Sequence, residues 1–275
     1  MKQLAIAAIL LLMTVFCAAA CSGSEVPAVS AASEISDTSE VSSASEVSNA
    51  SEGSGETGPE NGQQEQTEYI GAVPESYFES SAQPGKVLEI RYESRDYTSE
   101  DESAIQKTAY VYLPYGYDEE DLDTRYDILY LMHGWTMTAG DFFQDPESGI
   151  VNMLDHMIES GDIPPIIVVC ATFDAQNQPQ DFSRSVEELS VFHRDLRENL
   201  MPAVESRFHT YAADTTAEGF AASREHRAFG GFSLGAVTTW YQFIYNLEYI
   251  KYFLPMSGDC WITGTYGGLY HPVET

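Results

Sequence analysis

The chain has 275 residues, 43% hydrophobic and 12% aromatic, enough for one sizeable core or for a domain with an appendage. Its 13 Lys and Arg residues face 43 Asp and Glu, a formal charge of −30; a surface of that sign repels a phosphate backbone, which excludes nucleic-acid binding as the default role. Four cysteines, Cys17, Cys21, Cys170 and Cys260, are too few for a disulfide scaffold.

Lys2 precedes an apolar run from Leu4 to Phe16, followed by Ala18-Ala19-Ala20-Cys21. A charged start, a short apolar stretch and small residues before a cut describe a signal peptide over residues 1–20, too short for a comfortable membrane span. The Ala-Ala-Ala-Cys ending resembles the bacterial lipobox. That resemblance implies a lipid on Cys21 and a protein anchored at the outer face of the cytoplasmic membrane, with the lipid as its only link to the bilayer; cleavage after Ala20 and secretion is the alternative. Residues 21–68 form a Ser/Glu-rich stretch with units such as Ser33-Glu34-Ile35-Ser36 and Ser39-Glu40-Val41-Ser42, and no aromatic residue lies between 22 and 67. Such a composition buries too little apolar surface to offset chain entropy, so it reads as a disordered stalk that its own like charges extend.

The folded domain is expected over residues 69–275. Residues 87–92 and 108–113 alternate as strands with one wet face, and Pro114-Tyr115-Gly116-Tyr117 reads as the turn after the second. The runs 128–132 and 165–169 are continuously apolar, as in parallel strands covered on both faces; Cys170, which ends the second, reads as a small buried hydrophobe. Helical spacing predicts helices over 150–158 and over 186–208, the latter through Leu189, Phe192, Leu196, Leu200, Val204 and Phe208. Residues 227–232 read as a strand, 234–245 as a helix and 252–256 as another buried strand. Strands alternating with helices imply an α/β layered sheet.

Gly231-Phe232-Ser233-Leu234-Gly235 falls between that short strand and its helix. A serine on a sharp strand-to-helix turn needs very small residues two before and two after it, here Gly231 and Gly235, because a Cβ at either place strikes a neighbour. Such a turn pushes the hydroxyl out above the sheet and aims the helix N-terminus and the Leu234 amide at a developing oxyanion. A second backbone donor has to come from a neighbouring strand end, and Leu131-Met132-His133-Gly134-Trp135 supplies that context.

Together with Thr238-Thr239-Trp240 and Phe253-Leu254-Pro255-Met256-Ser257-Gly258-Asp259-Cys260-Trp261, these blocks give residues 70–265 a resemblance to the feruloyl esterase branch of the esterase D-like α/β-hydrolases, often found attached to bacterial xylanases. The resemblance implies an α/β-hydrolase-type, mostly parallel sheet with helices on both faces. It also implies a serine esterase that removes feruloyl or acetyl groups from plant polysaccharide, or acts on small aryl or acetyl esters. Ser233 is then the nucleophile; Leu234 gives one oxyanion amide and Trp135 or Gly134 the other. His133, Asp259 and Trp261 are candidate pocket residues, with the His133 ring alternatively expected to brace the oxyanion loop rather than do chemistry, and Trp135, Trp240 and Trp261 a candidate aromatic wall.

In this fold the partners follow in the order Ser, acid, His. Thr275 lies only 42 residues after Ser233, so the last strands, the acid and the histidine are expected to be missing, as in a fragment of a larger enzyme. Asp259 with His271 is a weaker substitute pair. His226 is expected at the sheet end opposite the nucleophile; His156, His193 and His209 fall on or beside helices. No cofactor is expected, and no metal, since neither His-x-x-x-His nor Cys-x-x-Cys occurs. Asp174, Gln176, Asn177 and Asp181 read as a polar surface loop near the pocket. The alternatives to an esterase are a non-catalytic carbohydrate-binding or scaffold protein on a decayed hydrolase fold, and an acyltransferase of the same fold.

Overall fold

The computed structural model describes residues 73–145 and 148–262. The expected signal peptide and stalk, with Cys21, and also His271, lie outside the described residues. Six strands form one sheet: β1 (Lys86–Arg95), β2 (Ala104–Leu113), β3 (Asp127–Met132), β4 (Ile166–Ala171), β5 (Arg227–Phe232) and β6 (Tyr252–Met256), in the order β1-β2-β4-β3-β5-β6. β1 and β2 are antiparallel, and β2 runs antiparallel to β4. β4, β3, β5 and β6 are mutually parallel. The one-wet-face pattern holds in β1, while in β2 Val111, Tyr112 and Leu113 are buried on both faces where the strand meets β4. The continuous apolar runs form the covered parallel centre; 252–256, expected as a buried strand, is the edge strand β6 and only Leu254 in it is buried.

The helices are α1 (Asp141–Gln144), α2 (Ile150–Glu159), α3 (Phe182–Asp195), α4 (Met201–Glu205), α5 (Ala217–Ala222) and α6 (Leu234–Tyr245). Successive β3 side chains serve opposite cores. Ile128, Tyr130 and Met132 pack with Leu189 and Phe192 of α3, Val204 of α4 and Val237 of α6. Leu129 and Leu131 pack with Ile150, Met153, Leu154 and Met157 of α2. Helices therefore cover both faces, as expected, and Cys170 and Cys260 are both buried free thiols.

The single helix expected over 186–208 is three pieces. It starts earlier, at Phe182, where the Asp181 side chain caps it by accepting from the Arg184 amide. After α3 comes a π-helical turn, Leu196–Leu200, and the Met201 amide donates to the Leu196 carbonyl. Pro202 explains the widened turn: a proline has no N–H, and its ring crowds the carbonyl four residues back. Phe208 lies past the helix end.

β5 is anchored at its base by a buried ion pair. Arg227 holds Glu205 of α4 in a two-point contact, Nε to Oε1 at 2.8 Å and Nη2 to Oε2 at 2.7 Å. The Tyr130 hydroxyl and Thr210 Oγ1 donate to the same carboxylate at 2.9 and 3.0 Å, while Arg227 Nη1 donates to the carbonyls of Phe220 and Tyr249. Every charge is satisfied inside the core, so removing one partner strands the other. Glu205→Gln is therefore expected to lower stability by about 3–5 kcal/mol. Urea denaturation reads this directly, and an unchanged midpoint contradicts it.

Candidate active site

The strand β5 ends and α6 begins at Ser233, whose backbone has φ 56° and ψ −116°. Positive φ is costly for a residue with a Cβ, of order 1–3 kcal/mol, and persists only where the surroundings impose it. Here they do. A Cβ on Gly231 would lie 2.4 Å from the Gly235 carbonyl oxygen, and one on Gly235 would lie 2.3 Å from that of Met132. Both obstacles are backbone and cannot swing away. The Ser233 amide is tied to the Met256 carbonyl at the end of β6, 3.0 Å away, and the Ser233 carbonyl accepts from the Ala236 and Val237 amides. Gly258 completes the cage, since a Cβ there would come within 2.6 Å of the Ser233 carbonyl oxygen.

The loop after β3 lies against this turn: a Cβ on Gly134 would stand 3.3 Å from Ser233 Cβ. Five described non-glycine residues have positive φ. Thr136 (69°), Asn177 (57°), Ser233 (56°) and Ser257 (55°) follow the C-terminal ends of β3, β4, β5 and β6, and Glu102 (45°) lies in the β1–β2 turn. Four of the five thus fall on the edge of the sheet where α/β proteins place their chemistry. The first amides of α6, Leu234 included, have no acceptor within the helix and sit at its positive end beside the serine. The arrangement can hold an oxygen nucleophile next to a site for a developing negative charge.

An aromatic rim borders the serine. Trp135 is 43% exposed and Phe182 45% exposed; their rings meet edge to face with centroids 5.2 Å apart, and Phe182 stands 6.1 Å from the half-buried Trp261. The Trp135 indole N–H donates to the Gln180 carbonyl at 3.1 Å. Phe182 was not singled out from the sequence; an aromatic at the first turn of an amphipathic helix reads as core until its exposure is known. Trp240 does not join the rim: its indole N–H braces the Gly258 carbonyl at 3.3 Å, and its ring meets Phe243 edge to face.

His133 does not line the pocket; its ring braces the loop, the other expectation held for it. Its ring is 0% exposed and lies behind the loop, bonded to the Gly134 carbonyl and the Thr172 hydroxyl at 2.7 Å each. The reading of Asp174 as a surface residue also fails: it is 1% exposed and accepts from Ser185 at 3.1 Å. Asn177 ties the same loop to β2, accepting from the Thr108 amide and donating to the Gln106 carbonyl. Asp259 is exposed, one residue past Gly258.

The other described histidines are placed elsewhere. His226 bonds Asp127 at the start of β3, 2.6 Å away, which puts it at the sheet end opposite Ser233 as expected. His156 contacts the Glu79 carbonyl and His193 the Ser190 carbonyl. His209 packs against Tyr117. Among the described residues none of them reaches Ser233, and no three His, Cys, Asp or Glu side chains converge to hold a metal ion.

Burial pushes the Asp174 carboxyl up to about 6, with nearby Glu188 adding to the shift against the opposing pull of Ser185, Thr172 and Lys107. A carboxyl whose proton affinity is raised by folding keeps a proton that the unfolded chain has lost between pH ~4 and ~6. Its contribution to stability therefore declines as pH rises through that window and is level above it. Asp174→Asn removes the titration, so its stability relative to the native chain is expected to improve by about 2–3 kcal/mol between pH 4 and pH 7. Urea titrations at the two pH values measure this; the same difference at both contradicts it.

With this geometry in place, known proteins give it a family. The Esterase family model matches residues 105–260, more than half of the chain. Endo-1,4-beta-xylanase Y of Acetivibrio thermocellus is 40% identical over 189 residues, which is 69% of this chain and 16% of that protein. An endo-1,4-beta-xylanase/feruloyl esterase of Xylanibacter ruminicola is 30% identical over 162 residues, 58% of this chain and 20% of that protein. The chain thus spans about a sixth to a fifth of the length of these curated relatives. Among solved structures, a mutant feruloyl esterase module from Clostridium thermocellum complexed with sinapinate matches with TM-score 0.58 at 39% identity, over 69% of this chain and 60% of that one. A substrate-free ferulic acid esterase from Anaeromyces mucronatus, at 20% identity and TM-score 0.53, over 74% of this chain and 70% of that one, shares the fold. The chain belongs to the Esterase family and has the α/β fold of feruloyl esterase-like hydrolases.

Proposed function

We propose that this chain is a serine carboxylic-ester hydrolase that removes feruloyl or acetyl groups from plant polysaccharide through an acyl-enzyme on Ser233. The observation that carries the reading is the backbone of Ser233, φ 56° and ψ −116°, caged by glycines at the head of α6. A conformation that costs stability is retained where it presents a side chain for chemistry. In the proposed reaction Ser233 Oγ attacks the ester carbonyl carbon and the C–O π electrons move onto oxygen. That oxyanion is met by the Leu234 amide and by a second amide from the loop after β3. As the carbonyl re-forms, the ester C–O bond breaks, the departing alkoxide takes up the proton that Ser233 Oγ gave up, and the acyl-enzyme remains. Water then attacks the acyl carbon in the same way, its proton returns to Ser233 Oγ as the acyl C–O bond breaks, and the acid is freed.

Support for an aromatic acyl group comes from the exposed rim of Trp135, Phe182 and Trp261, whose faces and edges suit a planar phenolic ring. The relatives point the same way, one being a feruloyl esterase module complexed with sinapinate. Tethering at the cell surface through a lipid on Cys21 is part of the same proposal and rests on Ala18-Ala19-Ala20-Cys21; a mature protein starting at an unmodified Cys21 contradicts it.

Turnover of methyl ferulate and p-nitrophenyl acetate by the complete protein, carrying the acid and histidine that the fold places after Ser233, is expected to fall about 10³-fold or more, to background, in Ser233→Ala. Equal turnover by native chain and variant overturns the assignment.

A further inference from the structure

Behind the loop after β3 runs a buried chain of polar groups that Ser233 does not touch. His133 Nδ1 lies 2.7 Å from the Gly134 carbonyl oxygen and Nε2 lies 2.7 Å from Thr172 Oγ1. The Asp174 amide donates to the same Thr172 oxygen at 3.1 Å, the Asp174 carboxyl lies 3.3 Å from it, and Ser185 donates to that carboxyl. His133, Thr172, Asp174 and Ser185 are all buried, and the His133 ring packs on Phe173 with centroids 4.8 Å apart.

The proton positions follow from the partners. A carbonyl only accepts, so His133 Nδ1 carries the hydrogen. Burial keeps the ring neutral, its pKa held down to about 4. A neutral imidazole has one N–H, so Nε2 is an acceptor; it competes with the Asp174 carboxyl for the one Thr172 hydroxyl hydrogen, and its contact is the shorter, 2.7 Å against 3.3 Å. This fixes the tautomer and the ring plane together.

Peptide geometry carries the consequence to the reaction site. No cis peptide occurs among the described residues, and in a planar trans peptide the C=O of one residue and the N–H of the next point in opposite directions. The Gly134 carbonyl is turned inward by His133 Nδ1, with a longer contact from the Met137 amide at 3.4 Å. The N–H of Trp135, in the same peptide plane, is therefore turned away from the His133 ring, and it follows a glycine on which a Cβ would stand 3.3 Å from Ser233 Cβ.

We infer that His133 is a positioning residue for oxyanion binding: it pins the Gly134 carbonyl inward and so presents the Trp135 amide, rather than that of Gly134, as the second donor beside Leu234. The inference rests on the reading of Ser233 as nucleophile. It predicts a selective loss, because a tilted peptide weakens binding of a tetrahedral anion and leaves binding of a planar acid alone.

Phenylboronic acid separates the two. Serine Oγ adds a lone pair to boron, the serine proton passes to water, and the tetrahedral anion places a hydroxyl where the oxyanion forms. Benzoate has the same ring and no tetrahedral centre. Dissociation constants of both, read by tryptophan fluorescence on the full chain, are compared in the native protein, Ser233→Ala, His133→Phe, His133→Asn and Thr172→Val, each checked for folding by circular dichroism.

His133→Phe keeps a ring and loses the donor; it is expected to weaken phenylboronic acid by about 30-fold or more, within the range for loss of one oxyanion donor, with benzoate unchanged within about twofold. His133→Asn, whose amide nitrogen stands near the place of Nδ1, is expected to bind the boronate within about fivefold of the native chain. Thr172→Val frees the ring and is expected to weaken it by about tenfold, and decides the matter if His133→Phe does not fold. Absence of an adduct in the native chain, or an adduct that survives Ser233→Ala, overturns the serine reading and this inference with it. An adduct that needs Ser233 but is unaffected by His133→Phe or by Thr172→Val, or is not recovered in His133→Asn, or is lost in parallel with benzoate, overturns the role of His133 alone.

Discussion

The turn at Ser233 can exist only because four backbone segments meet there without side chains between them. Gly231 lies against Gly235, Gly235 against the ends of Met132 and His133, Gly134 against Ser233 itself, and Gly258 against the Ser233 carbonyl. Each contact removes a way for the chain to relax, so the positive φ of Ser233 is imposed by packing rather than by local preference. The same contacts bring the head of α6, the loop after β3 and the end of β6 into one small region. The proposed nucleophile and anion site are thus consequences of a single close-packing arrangement.

Two buried polar assemblies hold that arrangement at opposite ends of the central strands. At the base, Arg227 and Glu205 lock the start of β5 to α4, with Tyr130 of β3 sharing the carboxylate. Near the other end, His133, Thr172, Asp174 and Ser185 link the loop after β3 to the loop after β4 and to α3. Neither assembly reaches solvent, and within each the named groups find partners, which is the condition under which buried polar networks rigidify rather than weaken a core. Such rigidity matters to an anion site, whose donors stabilise charge best when they need not reorganise as it forms.

Much of this was legible in the sequence because it rests on local rules. Continuous apolar runs gave β3 and β4, alternation gave β1 and β2, and the glycine spacing around Ser233 had meaning only between a strand and a helix, where the structure places it. The misreadings involve partners distant in the chain or a turn whose geometry periodicity does not register. Asp174 looks like an exposed polar residue until Ser185, 11 positions away, is known to satisfy it, and the partner that holds the His133 ring, Thr172, lies 39 positions on. Phe182 has core-like chemistry and a surface location. The π-turn at Leu196–Leu200 preserves the apolar spacing well enough that periodicity alone reads one continuous helix.

Covalent mapping of the nucleophile is the most direct measurement. The complete protein, treated with a fluorophosphonate ester, digested and sequenced by mass spectrometry, is expected to carry the phosphonyl mass on Ser233, within the peptide spanning Gly231 to Gly235, because in the proposed mechanism that hydroxyl stands beside the amides that stabilise a tetrahedral phosphorus. A label on any other residue, or no label on Ser233 in a chain shown to be folded, contradicts a nucleophile built by this turn.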